Sequence, residues 1–142
     1  MLTDEQRVLQ ETVRSLLARH ATSAAVRAAL GQPRGYDEKL WDLLCGQVGI
    51  AALSIPESYG GAGATLMETA LVLEELGRPL APTPLLGSGV LAAQALLGTE
   101  NHDACARLLP PIADGARIAA LAWSGPAGDW DAPVVTATQD NT

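Results

Sequence analysis

The chain has 142 residues, 9 Lys and Arg against 16 Asp and Glu, a net charge of -7 and 48% hydrophobic residues. That length suits one domain with a sizeable core. The acidic balance argues against a nucleic-acid partner, which needs a basic face, and against anionic membranes, which need a basic cluster. No apolar run reaches the ~20 residues of a membrane-spanning helix. The acidic opening Met1-Leu2-Thr3-Asp4-Glu5 is unlike a secretory signal. Cys45 and Cys105 have neither disulfide-framework nor metal spacing, so both are expected as reduced, part-buried thiols in a cytoplasmic protein. With no Phe, the core must come from Ala, Leu and Val, and helices are expected over most of the chain.

The first helix opens at Thr3, which has Gln6 at capping-box spacing. Leu9, Val13, Leu16, Leu17 and His20 then share one helical face. The pattern runs to Leu30, with a break allowed near Thr22-Ser23, and Gly31 and Pro33 end it. Asp37 is the expected N-cap of a second helix bearing Leu40, Trp41, Leu44 and Val48, stopped by Gly49. The apolar stretch 50–56 is too short for a helix and leads into the glycine loop Gly60-Gly61-Ala62-Gly63. At least one of those glycines is expected at positive φ.

Thr65 with Glu68 opens a third helix through Leu66, Ala70, Leu73 and Leu76 to Gly77. Pro79, Pro82 and Pro84 form a stiff connector. Thr83-Pro84 then reads as N-cap plus N1 of a fourth helix, residues 85–97, closed by Gly98. A fifth is expected from about Asn101 to Leu109, ended by Pro110-Pro111. Residues 118–123 read as a short buried run and 134–138 as a strand. The final Gln139-Asp140-Asn141-Thr142 are residues that precede a further strand, so the chain reads as cut off there.

Few residues offer chemistry of their own. The glycine loop lacks the Lys-Ser/Thr of a P-loop and the spacing of a dinucleotide turn, and reads as a tight loop. His20 is expected to be packed or interfacial and His102 solvated, and neither has a metal-type spacing to a cysteine. Adjacent Glu74 and Glu75 point about 100° apart on a helix and cannot form a dyad. No serine sits in a nucleophile elbow.

Four blocks carry more information together than any alone. They are Leu2-Thr3-Asp4-Glu5-Gln6, the 55–63 loop Ile55-Pro56-Glu57-Ser58-Tyr59-Gly60-Gly61-Ala62-Gly63, the helix segment Leu71-Val72-Leu73-Glu74-Glu75-Leu76-Gly77, and Arg107-Leu108-Leu109-Pro110-Pro111-Ile112-Ala113-Asp114-Gly115. In this order and spacing the chain resembles the N-terminal helical domain of acyl-CoA dehydrogenases. The resemblance implies a mainly α fold of about five helices over residues 1–115, with 116–142 opening a truncated middle β domain. It implies an FAD enzyme that desaturates an acyl-CoA thioester between Cα and Cβ, with a glutamate base beyond residue 142. Glu57, Glu68, Glu74 and Glu75 do not match that base, so no catalytic residue is assigned within this chain. FAD belongs to the full-length protein or complex and is not expected with this chain alone. Electron-transfer flavoprotein is the implied acceptor, and a homo- or hetero-oligomer the implied assembly.

By the same resemblance, Leu85, Ser88, Gly89 and Ala92 on the helix after the proline connector lie near substrate. Leu121, Trp123 and Ser124 lie near the flavin. The family's T-E-P-x-A-G-S-D stretch reads here Trp123-Ser124-Gly125-Pro126-Ala127-Gly128-Asp129-Trp130. A hydroxyl is kept at Ser124, the charge at Gly125 is lost, and the serine before the aspartate is missing. The chain is similar in this to bacterial relatives paired as heteromers on steroid-derived acyl-CoAs, where one subunit keeps the full site and its partner has a degenerate one. Three readings therefore stand: a dehydrogenase subunit's N-terminal portion, a non-catalytic partner subunit, and a free-standing helical domain.

Overall fold

The computed structural model describes residues 1–124 and residue 138. Its helices are α1 (Asp4–His20), α2 (Ser23–Leu30), α3 (Glu38–Val48), α4 (Leu66–Gly77), α5 (Ala93–Gly98) and α6 (His102–Ala113). A 3-10 turn, Glu57–Tyr59, and a π-helical segment, Leu85–Ala92, complete the set. No strand occurs among the described residues. The fold is mainly α.

The helix starts follow the caps. Thr3 and Gln6 exchange side-chain and backbone bonds at the head of α1, and Thr65 and Glu68 do the same at α4. Asp37 accepts from the N–H groups of Lys39 and Leu40 at the head of α3. The break allowed near Thr22-Ser23 is real, because the Thr22 hydroxyl caps a separate α2 through the Ala25 N–H. Gly49 ends α3 at φ 71°, a left-handed stop for which glycine carries no Cβ penalty.

Helices α1, α3 and α4 enclose one part of the core, built on Val13, Leu17, Leu44, Val72 and Leu76. A second part, Ile55, Ala93, Cys105, Leu109 and Ile112, lies between α5 and α6. The short apolar stretch joins them. Ile50, Ala51 and Ile55 are essentially inaccessible, and their backbone turns through the interior. That backbone is satisfied by the returning glycine loop: Ala62, Gly63 and Ala64 donate to the carbonyls of Ala52, Ile55 and Leu53. Gly60 and Gly63 adopt φ of 79° and 63°, as the loop was expected to require.

Several expectations are corrected. His20 ends α1 exposed and is not packed in the core, the first of its two expected settings. The buried side of α4 is Thr69, Leu71, Val72, Glu75 and Leu76, while Leu66 and Ala70 face outward. Glu75, on the buried side, is met there by Arg14 of α1. Thr83 does not cap the fourth helix; Pro84 takes that position without a side-chain bond. Helix α6 does not stop at Pro110-Pro111 but runs through both to Ala113. The carbonyls of Ala106 and Arg107, which those prolines leave unbonded, belong to exposed residues and can be hydrated. Residues 118–123 are not a buried run: Ile118, Leu121 and Trp123 are exposed by 40%, 41% and 50%. Of the expected strand 134–138, all but Thr138 lies outside the described residues.

Candidate functional site

The proline connector delivers the chain to Leu85–Ala92, and its winding decides which side chains face inward. Within this segment the carbonyl of Ser88 accepts from the N–H of Ala93, five residues on. Such winding is rare and recurs at functional sites. Of its two glycines, Gly89 is closely packed, while Gly87 faces open space. Leu85, Ser88, Gly89 and Ala92 are all buried, whereas Leu86 and Leu91 are exposed. A Cβ on Gly89 would stand 3.5 Å from the Cα of Ala51 and 2.9 Å from Leu85 Cδ1, so the helix lies directly on the inner turn. Gln94 reinforces that contact by donating to the Ser54 carbonyl at 3.2 Å.

Beyond α6 the chain folds back over this helix. Arg117 N–H donates to the Pro111 carbonyl at 2.7 Å, and Ala119 N–H donates to Ser88 Oγ at 3.0 Å. Between the returning segment, α5 and α6 opens a cleft of about 370 Å³. Its walls include Ala92, Ala95, Leu96, Leu108, Ala119 and Leu121. The lining holds no titratable side chain, so the cleft suits an apolar group and offers no acid or base. Thr99 supplies a hydroxyl at its rim.

The cleft thus joins two groups of residues that the sequence assigned separately. Ala92 from the expected substrate helix and Leu121 from the expected cofactor segment share one wall. Leu85, Ser88 and Gly89 lie behind that wall in the core. Trp123 is half exposed and Ser124 partly buried. The expectation missed Ala95 and Thr99, which lie three and seven residues after Ala92. Helical spacing was the signal that could have found them.

The other polar and titratable groups of the chain serve its structure. A larger depression of about 660 Å³ along α1 is polar, and its Arg14 is already engaged by Glu75. Arg14 reaches both oxygens of buried Glu75, at 3.0 and 2.7 Å, and holds that carboxyl below the usual carboxylate range. Hydrogen bonds from Gln6 and Thr65 lower Glu68 to about 2. Both glutamates are structural anchors between α1 and α4. His102 is exposed, as expected, yet its Nδ1 lies 2.9 Å from the Tyr59 hydroxyl. Burial pushes the Cys45 thiol up to about 11, which leaves it unreactive, and Cys105 is buried. Both thiols are free. No group of three or more metal-ligating side chains occurs among the described residues. No helix among them is long and apolar enough to cross a membrane.

The family described as "Acyl-CoA dehydrogenase, N-terminal domain" matches residues 3–116. Acyl-CoA dehydrogenase IpdE2 of Mycobacterium tuberculosis is 56% identical over 118 residues, covering 83% of this chain and 36% of the relative. Benzylmalonyl-CoA dehydrogenase of Aromatoleum aromaticum is 33% identical over 146 residues, covering 97% of this chain and 37% of the relative. Among solved structures, a variant of the Tcur3481-Tcur3483 steroid ACAD superposes with a TM-score of 0.81 at 35% identity, over 92% of this chain and 36% of that one. The ChsE4-ChsE5 complex from Mycobacterium tuberculosis gives a TM-score of 0.76 at 30% identity, over 91% of this chain and 35% of that one. The chain therefore spans little more than a third of the length of these proteins.

Proposed function

The chain belongs to the acyl-CoA dehydrogenase family, and on that premise we propose that it forms the acyl-pocket wall of an FAD-dependent subunit that desaturates an acyl-CoA thioester. The observation that carries this reading is the apolar cleft. It brings the helix that lines substrate in the family against the segment that meets the flavin. Residues 116–142 would then lead into a β domain.

The cleft's chemistry fits a division of labour. Ala92, Leu96, Leu108 and Leu121 present apolar surface that binds an acyl chain and excludes water from it. None of Glu57, Glu68, Glu74 or Glu75 lines the cleft, so the α-proton goes to a carboxylate outside the described residues. FAD, when bound, supplies the acceptor for the β-hydride. The half-exposed indole of Trp123, with Leu121 and Ser124 beside it, fits the edge of a flat aromatic ring. This ledge offers apolar, indole and hydroxyl contacts. The groups that hold the rest of the cofactor belong elsewhere in the protein or complex.

A hetero-oligomer is the proposed assembly, with electron-transfer flavoprotein as acceptor and the cytoplasm as setting. The solved complex of two distinct chains supports the first, and the two free thiols suit the last. One observation favours a second reading, a non-catalytic partner: Ser124-Gly125 stands where the family has a threonine and a glutamate.

Filling the cleft tests the proposal. Ala95 is only partly buried, so Ala95→Trp places its ring in the cleft and not in the core. In the intact flavoprotein it should lower kcat/KM for bulky acyl-CoA substrates by roughly tenfold or more relative to short ones. An unchanged ratio, in a variant that melts like the parent, would remove the acyl-wall assignment.

A further inference from the structure

We infer that Ser88 is a positioning residue whose hydroxyl holds the 117–124 segment in register on the acyl-wall helix. It would thereby set the flavin-facing ledge relative to the cleft. The inference deepens the functional reading above and rests on it.

Ser88 is the single polar side chain in Leu85–Ala92 and is 1% exposed. A hydroxyl buried so deeply is costly unless it is bonded. Its partner here is the backbone N–H of Ala119, at 3.0 Å, which belongs to no helix. A helix wall could be built from apolar residues alone. This one carries a hydroxyl aimed at the segment that folds back over it.

The bond is made from the π-wound segment itself. With the Ser88 carbonyl bonded to the N–H of Ala93, the segment holds one more residue per hydrogen-bonded ring than an α-helix would.

The consequence is geometric. Arg117 is tied to the Pro111 carbonyl and Ala119 to Ser88, so the two bonds fix the approach of the segment that bears Leu121, Trp123 and Ser124. Ala119 and Leu121 also line the cleft. A loosened Ala119 would shift the ledge against the acyl wall, and reaction rates are steeply sensitive to such sub-ångström misplacement.

The test compares Ser88→Thr with Ser88→Val, which have nearly equal volume and differ in the hydroxyl. Amide hydrogen exchange at Ala119 should be at least about tenfold faster in the valine variant, and near the parent rate in the threonine variant. In the intact flavoprotein, kcat should fall at least about fivefold in Ser88→Val while KM moves less than about twofold, with threonine restoring kcat. The visible band shape of bound flavin should change in the valine variant and not in the threonine one. Equal Ala119 exchange in both variants overturns the inference. So does faster exchange with unchanged kcat and flavin spectrum, which would make the hydroxyl merely structural. Failure of the underlying reading shows separately, as an Ala95→Trp variant with an unaltered acyl-CoA profile. If both β-branched side chains prevent folding, Ser88→Ala carries the same comparison against the parent.

Discussion

Gly61→Ala should leave little folded protein, or lower stability by at least about 3 kcal/mol, near the upper range for a single substitution. A Cβ at this position would lie 1.9 Å from the carbonyl oxygen of Ile55 and 2.3 Å from its carbon. Backbone cannot yield by that distance without parting the loop from the inner turn. Ile55 is fully buried, and its carbonyl also accepts the N–H of Gly63 at 2.9 Å. Separation would therefore cost hydrogen bonds and core contacts together. Gly46→Ala is the control. Gly46 lies exposed within α3 with nothing within 4 Å of an added Cβ, so alanine there should stabilise by about 0.5–1 kcal/mol. Chemical denaturation of both variants checks the pair. Equal midpoints would show that the close approach at Gly61 is not a constraint.

Arg14→Met should destabilise the chain at neutral pH, and by less in acid. Glu75 is 1% exposed and accepts from Arg14 twice and from Arg78 once. Removing Arg14 leaves a buried carboxylate with the Arg78 contact alone. The arginine itself is half exposed, which keeps the loss below that of a fully buried pair. Glu75 and Glu68 both have folded values below the ordinary 4.5. Each therefore contributes stability that is complete above that value and is lost as the pH falls through its folded value. For Glu68 that window reaches from about 4.5 to about 2. Once acid has protonated Glu75, Arg14 has little left to bond. Denaturation followed from pH 7 down through the acid range reads the difference; a loss that never shrinks as the pH falls would mean that the pair contributes nothing electrostatic.

What the sequence made legible was local. The heads of α1, α3 and α4 follow from Thr3-Gln6, Asp37 and Thr65-Glu68, because capping acts over three or four residues. The left-handed loop glycines were legible for the same reason. The buried side of α4 was not, since Glu75 on that side meets a partner 61 positions away. The π winding of Leu85–Ala92 was hidden too. Its apolar pattern satisfies an α-helix equally well, and its Ser88 hydroxyl meets a partner 31 residues away. The passage of α6 through Pro110 and Pro111 depends on which carbonyls face water, and that is a property of packing. The family blocks led to Ala92 and Leu121. Only the fold placed them on one wall with Ala95 and Leu108.

The central claim is that this wall meets the acyl chain, and photolabelling tests it most directly. An acyl-CoA bearing a diazirine on its acyl chain, activated on the intact flavoprotein, should attach to peptides within residues 92–99 and 119–121. Excess unlabelled acyl-CoA should suppress that attachment. Competed labelling confined to other residues, such as those along α1, would contradict the account.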